Sequence, residues 1–464
     1  MAKIFNMQVR KNLILVLASV ATFVEALDIA IINLTIPSIQ EQFHIGVEQA
    51  QWLQTLYVLL FGGFLIIGGR MSDQRGRKKV FLAGGGVFML TSLGAGLSTS
   101  FESLAIFRAL QGLGAAFIMP ASSSIINNTF TETQERNRAI GIFSSFAAIG
   151  SGSGLSIGGL LSTYLSWHWV FLINVPILAV TLVLAYIYFP KDEPRKEAQR
   201  VDMASAILLV LGLLCFTYGT HELPSVSSAP VMIISSILVG VLLLGTVIYR
   251  LKTVDEPLIK LSLFDQPSVL VSNGIFFIQG AFFIGFLFLI SLMLQSDMGH
   301  TAAAAGLLLV PFSILSALIA KFALPMVSKR LQSAQMGVFG WSFLLLGAVV
   351  LWTAIHLGHP LPLVLIGVAC ISGIGITFCF TSMAVLSIRD VESTNYGVIS
   401  SLTSTSYFLG GGIGLAFMTV LNQLLPSEWA VGNLSLGLLF VYALASVLIL
   451  SKMARGERAA SKIG

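Results

Sequence analysis

The sequence predicts an all-α integral membrane protein with 14 transmembrane helices and both termini in the cytoplasm. Three observations carry this reading. Only 10% of the 464 residues are charged and 56% are hydrophobic, against roughly 25% charged in ordinary soluble domains. Apolar runs of roughly 20 residues, enough to cross the hydrocarbon core as helix, recur along the whole chain. Lys and Arg fall in alternate connections between those runs. This composition excludes a soluble enzyme, a disordered chain and a disulfide-built secreted module. The three cysteines, Cys215, Cys370 and Cys379, all lie in apolar runs and offer no disulfide framework.

The first span is expected at 13–36, after Lys3, Arg10 and Lys11. It is too long, and too interrupted by polar residues, for a cleavable signal, and no small-residue cleavage site follows it. Spans 51–69 and 80–99 are joined by Arg70 through Lys79, which hold five basic residues. Spans 103–126 and 139–162 are joined by Arg136 and Arg138, and span 167–189 is followed by Lys191 through Arg200. Spans 203–222 and 230–249 lead to Arg250, Lys252 and Lys260. Spans 268–294 and 303–326 lead to Lys329 and Arg330; spans 336–356 and 362–387 lead to Arg389. Spans 397–424 and 430–451 end the series before Lys452 through Lys462. On this count, 24 of the 26 basic residues share one side with the termini, the opposite loops hold none, and Arg108 and Lys321 lie within spans. The net charge of +5 is therefore a topology signal and implies no nucleic-acid partner.

The longest cytoplasmic connections, 190–202 and 250–267, bracket the seventh and eighth spans. The expected division is a six-helix bundle over 1–189, two inserted helices with flanking loops over 190–267, and a second six-helix bundle over 268–464. The outer blocks resemble each other. Gly141-Ile-Phe-Ser-Ser with Gly154 and Gly158 matches Gly397-Val-Ile-Ser-Ser with Gly410 and Gly414 at a constant offset of 256. Gly112, Gly114 and Phe117 likewise match Gly373, Gly375 and Phe378. Duplicated bundles that handle substrate at their interface are a transporter arrangement.

The loop after the second span reads Gly69-Arg-Met-Ser-Asp73-Gln-Arg75-Gly76-Arg77-Lys78. It resembles the signature loop of the major facilitator superfamily at both glycines, the aspartate and the closing Arg-Lys. Gln74 replaces a usual basic residue, and Met71-Ser72 replace Leu-Ala. The resemblance implies that Gly69, Asp73, Gly76 and Arg77 take part in gating an alternating-access cycle. Leu104-x-x-x-Arg108-x-x-Gln111-Gly112-x-Gly114 resembles a fourth-helix motif whose buried arginine is linked to proton coupling. Gly150-x-x-x-Gly154-Leu155-x-x-Gly158-Gly159 resembles the antiporter motif of the fifth helix, with Leu155 in place of its proline. Leu27-Asp28-x-x-Ile-Ile-Asn33-x-x-x-Pro37 and Trp167-His168-Trp169-x-Phe171-x-x-Asn174-x-Pro176 resemble signatures of the fourteen-helix drug:proton antiporter branch; His168 stands where arginine is usual. The resemblance covers nearly the whole chain, including Pro257-Leu-Ile-x-Leu-x-Leu-Phe264.

Independently of resemblance, Glu25 and Asp28 are the acids left within the bilayer. A charge at that depth costs several kcal/mol and is retained for function. Their i, i+3 spacing puts them on one helix face. At ~1.5 Å per residue, Asp28 lies about 12 Å, Glu25 about 16 Å and Arg108 about 8 Å below the outer boundary. Contact between them, direct or through water, is compatible with those depths. Two such carboxylates do not both ionise easily, so one is expected to carry a proton, with Asp28 the principal site and Glu25 the second carboxylate or the cation-sensing one. The alternative is a permanent Asp28–Arg108 ion pair that only positions helices.

No charge answers these in the second bundle, where Ala369 aligns with Arg108. Mostly apolar substrate contact is expected there. The ninth span carries Phe276, Phe277, Phe282, Phe283, Phe286 and Phe288. Asn33, Gln111, Asn273, Phe276, Gln279 and Phe283 are the candidate substrate-pocket residues; the alternative for the aromatic stripe is packing or lipid contact. Lys321 is expected to snorkel to the interface. All six histidines fall near the outer surface, where they are ordinary surface residues or pH sensors. No metal-ligand spacing or Walker sequence stands out. The expected protein is a cofactor-free, monomeric exporter in the cytoplasmic membrane. It is driven by the proton gradient, surrounded by lipid, and acts on hydrophobic or amphiphilic, cationic small molecules. Exporters of an endogenous metabolite, lipid or siderophore, and nutrient symporters, are the alternatives on the same fold.

Overall fold

A computed structural model describes residues 2–191, 202–222, 229–391, 396–424 and 431–460. Among the described residues, 14 helices are long and apolar enough to cross a membrane. They are α1 (Val9–Phe43), α2 (Gln49–Ser72), α3 (Arg77–Gly96), α4 (Phe101–Thr129), α5 (Arg138–Tyr164), α6 (Trp169–Tyr188) and α7 (Met203–Thr220). Then follow α8 (Pro230–Thr253), α9 (Pro267–Asp297), α10 (Ala302–Ser328), α11 (Ser333–His356), α12 (Leu361–Ile388), α13 (Val398–Leu421) and α14 (Leu434–Gly456). The sequence predicts the end of α1 at 36, but the helix continues to Phe43 through a 3₁₀ turn at Ile32–Thr35. Pro37 opens the segment Ile36–Phe43 in its first turn, where a missing N–H leaves nothing unpaired.

The chain divides into two compact units. Unit 1 comprises Met1–Leu214, Gly240–Ile259 and Thr301–Gly306; unit 2 comprises Cys215–Val239, Lys260–His300 and Leu307–Gly464. The hairpin of α7 and α8 is thus shared: Gly63 of α2 meets Val210 of α7 in unit 1, and Gly219 of α7 meets Ile233 and Ile237 of α8 in unit 2. The outer faces are apolar, with Leu242 69% and Val231 81% exposed on α8. A water-facing patch of that kind would drive association; in a bilayer it meets lipid.

Each unit is built on a glycine seam between two parallel helices. In unit 1, a Cβ added to Gly150, Gly154 or Gly158 of α5 would sit 2.4, 2.8 or 2.5 Å from the carbonyl oxygen of Phe23, Leu27 or Ile31 of α1. The four-residue step on both helices is small-xxx-small packing, which lets backbones touch where lipid gives no hydrophobic drive. In unit 2, Gly410 and Gly414 of α13 approach Phe277 and Ala281 of α9 in the same way, at 1.9 Å to the Phe277 oxygen and 2.3 Å to the Ala281 Cβ. This seam carries Leu27 onto Phe277, so Asp28 falls on Ile278 and Glu25 on Ile275. Unit 2 also carries π-helical turns at Met293–Asp297, Ile319–Ala323 and Ala369–Gly375. The last begins at the residue aligned with Arg108.

Candidate functional site

The site forms in unit 1 around Asp28, which is fully buried, as are Arg108, Gln111, Asn174 and Ser92. α4 brings its polar face close because its glycines admit neighbouring backbones. A Cβ on Gly112 would lie 2.2 Å from the Tyr57 oxygen of α2, and one on Gly114 would lie 2.8 Å from the Phe88 nitrogen of α3. α5 seals the far side of α1 through Gly150, Gly154 and Gly158, directly beside Leu27 and Ile31.

Within this enclosure, Arg108 Nη1 donates to Asp28 Oδ2 in an ion pair and to Gln111 Oε1 at 2.8 Å. Gln111 Nε2 donates to Asp28 Oδ1 at 3.0 Å and to Ser92 Oγ at 2.7 Å. Asn174 Nδ2 of α6 donates to the same Asp28 Oδ1 at 2.9 Å. Arg108 Nε reaches the Leu53 carbonyl at 3.4 Å, and the guanidinium lies over the Tyr57 ring at 4.3 Å and the Phe171 ring at 5.7 Å. A charge this deep survives only when paired and hydrogen-bonded, and Asp28 has charge-assisted partners on both oxygens. Among the described residues, Glu25 Oε2, Tyr57 OH, Arg108 Nη2 and Asn174 Oδ1 at the site find no hydrogen-bond partner.

The remaining sequence-predicted residues are placed as follows. Glu25 is buried one turn before Asp28 on the same face. Asn33 is buried and donates to the Ile29 and Ala30 carbonyls, each at 3.2 Å, beside the 3₁₀ break. Gln111 belongs to the Asp28 network. In unit 2, Asn273 bridges two helices, donating to the Val269 carbonyl at 2.8 Å and accepting from Ser406 at 3.0 Å. Phe276 packs edge-on against Phe380 at 5.3 Å, and Phe283 is half-buried against Phe286 at 6.1 Å. Gln279 is fully buried, with neither amide atom hydrogen-bonded among the described residues. Gly159 packs against Ala302, its Cβ position 2.0 Å from that carbonyl.

In the signature loop, Gly76 is the single residue between the helix ending at Arg75 and the one starting at Arg77, with φ 105°. Only glycine adopts that conformation readily. Arg77 Nε donates to Ser124 of α4 at 2.8 Å, and Arg70 donates to the Pro257 carbonyl at 2.7 Å. Gly69 is half-buried within the second helix; the Asp73 side chain lies outside the described residues. Lys321 is exposed over the Phe322 ring. Ahead of α7, burial pushes the Asp202 carboxyl up, but hydrogen bonds from Ser205 and Arg250 outweigh it and hold it below its usual range. His168, stacked on Trp167 at 3.8 Å, is pushed down by desolvation.

Sequence reasoning did not assign Asn174, Ser92, Tyr57 or Phe171 to the site. For Asn174 and Phe171 the signal was present, because both stand in the Trp167–Pro176 motif. Tyr57 and Ser92 carry none: a lone Tyr or Ser in an apolar helix is ordinary.

Among the described residues, 14 helices long and apolar enough to cross a membrane, with the same glycine seam in each of two units and a buried ion pair, have the build of a membrane transporter. A family model described as Major Facilitator Superfamily matches residues 18–415. The chain belongs to the Major Facilitator Superfamily. It is 32% identical over 416 residues to a cephamycin export protein of Amycolatopsis lactamdurans, covering 87% of this chain and 83% of that one. It is 28% identical over 437 residues to a methylenomycin A resistance protein of Streptomyces coelicolor, covering 93% and 90%. Among solved structures, a POT family transporter superimposes with a TM-score of 0.70 at 14% identity, covering 97% of this chain and 98% of that one. A D-xylose–proton symporter gives a TM-score of 0.66 at 13% identity, covering 94% and 96%. These structural likenesses concern the fold.

Proposed function

We propose that the protein exports hydrophobic or amphiphilic small molecules, cationic ones among them, in exchange for protons. The observation that carries this reading is the Asp28–Arg108 pair, sealed from solvent with Glu25 one turn away. Protonating Asp28 removes one partner of the pair and leaves Arg108 to find another, so the protonated and ionised proteins differ in helix packing. Transport follows when proton and substrate have unequal affinities for two alternating states. Glu25, whose Oε2 has no hydrogen-bond partner among the described residues, is the group for a cationic substrate. Gly69, Asp73, Gly76 and Arg77 gate the cycle, and Asn33, Gln111, Asn273, Phe276, Gln279 and Phe283 are its substrate-pocket candidates. The protein works as a monomer in the cytoplasmic membrane, termini inside, with the proton gradient rather than a cofactor or metal as energy source. Six-helix bundles 1–189 and 268–464 flank the inserted segment 190–267.

The test is ethidium movement in proteoliposomes under an imposed proton gradient, with and without an uncoupler. Uncoupler-sensitive movement against the ethidium gradient supports the reading. If no cationic or amphiphilic compound moves, multidrug export fails. A narrower reading, one antibiotic-type substrate, draws on the relative named for cephamycin export; a screen in which a single compound moves would favour it.

A further inference from the structure

We infer that Asn174 is the hydrogen-bond acceptor for protonated Asp28, reached by rotation of its side-chain amide; this rests on the proton-coupling reading above. Among the described residues, every group hydrogen-bonded to Asp28 donates. Arg108 covers Oδ2, while Gln111 Nε2 and Asn174 Nδ2 share Oδ1. That arrangement suits a carboxylate, which only accepts. A carboxylic acid carries an O–H and needs an acceptor in the same space. Arg108 has none to give. Gln111 is committed at both ends, its oxygen to Arg108 and its nitrogen to Ser92 as well as Asp28. Asn174 is committed at one end: its Oδ1 is buried and has no hydrogen-bond partner among the described residues.

The step balances simply. A proton arriving from outside adds to Asp28 Oδ1, the oxygen turned away from Arg108, and the carboxyl becomes neutral. The Asn174 amide turns by half a revolution, so Oδ1 accepts the new O–H and Nδ2 leaves the carboxyl. Gln111 Nε2 retains Ser92. Among the described residues, the titratable or charged groups around Asp28 are Glu25 on α1, Tyr57 on α2 and Arg108 on α4. α3 contributes Ser92, α5 its glycines, and α6 Phe171 and Asn174, none of which ionise there. Asn174 is therefore a positioning residue: it makes the protonated state of Asp28 habitable and reports that state to α6.

The experiment uses full-length protein in liposomes, with infrared difference spectra recorded on acidification and gradient-driven ethidium accumulation measured in parallel. The protonated Asp28 band is the one absent from D28N. In the wild type, with carbonyl-labelled asparagine, an amide band change lost in N174T is expected at the same pH midpoint. N174V removes the acceptor, so the Asp28 band moves to the frequency of an unbonded acid, and accumulation falls about fivefold or more, the scale of one buried hydrogen bond. N174T, the same shape with a hydroxyl, returns both toward wild type. An N174V protein with an unmoved Asp28 band overturns the inference, as does a wild-type spectrum without an asparagine change. If N174V does not fold, the labelled wild type and N174T decide alone. D28N that still accumulates ethidium against its gradient instead overturns the underlying proton-coupling reading.

Discussion

Replacing Arg108 by Met keeps the apolar stem and removes the charge, which makes it a direct probe of how strongly the buried pair is held. The substitution deprives Asp28 Oδ2, Gln111 Oε1 and the Leu53 carbonyl of a donor at once. Both partners of the pair are fully buried, so water cannot fill in for the lost guanidinium. Breaking a buried pair on one side costs about 3–5 kcal/mol, roughly 140- to 3,700-fold in the folding equilibrium at 1.4 kcal/mol per decade. The measurement is denaturant unfolding of purified protein in detergent, with D28N and D28N/R108M completing a double-mutant cycle. R108M is expected to be the least stable of the set, and the double variant to recover several kcal/mol while failing to couple transport to a gradient. An R108M protein within about 0.5 kcal/mol of wild type, the range of ordinary surface substitutions, would refute the view that the pair is desolvated and mutually dependent.

Three further outcomes are expected. G410A places a methyl group 1.9 Å from the Phe277 oxygen, so α9 and α13 must separate; overpacking of that kind costs about 1–3 kcal/mol, lowering the thermal midpoint. G274A, on the same α9 with nothing within 4 Å, is the control and leaves it level or higher. G76A forces a non-glycine residue to φ 105° and is expected to lose about 1–3 kcal/mol in the same assay. Asp202 accepts from the Ser205 N–H at 3.1 Å and from Arg250 at 2.8 Å, and its carboxyl is held below the usual range. A depressed carboxylate contributes stability above its unfolded value, about 3.9, and loses it as pH falls through the lower folded value. Acid unfolding of D202N is therefore expected to show a shallower fall below about pH 4 than the wild type.

The membrane spans were legible because nothing but a helix of about 20 apolar residues satisfies its backbone in lipid. Asp28 and Arg108 stood out for a related reason: charges in the bilayer are rare enough to be noticed one at a time. Asn174 stayed hidden because a neutral amide is a modest burden in a membrane helix and is as often found tying a helix to its neighbour. Asn273 does that here, through Ser406. The continuation of α1 past Pro37 escaped a hydropathy reading because the polar residues of Ile36–Phe43 say nothing about backbone direction. The π-helical turn at Ala369–Gly375 has no residue type that announces it.

The one-residue elbow at Gly76 has a mechanical consequence. With no slack between the helix that continues α2 to Arg75 and α3 starting at Arg77, the two behave as a single bent rod at their shared end, and neither can slide along its axis without the other. A spectroscopic label on either helix near that elbow should report one common displacement. An epitope or protease site inserted at residue 76 would therefore act as a broken lever rather than as a silent tag.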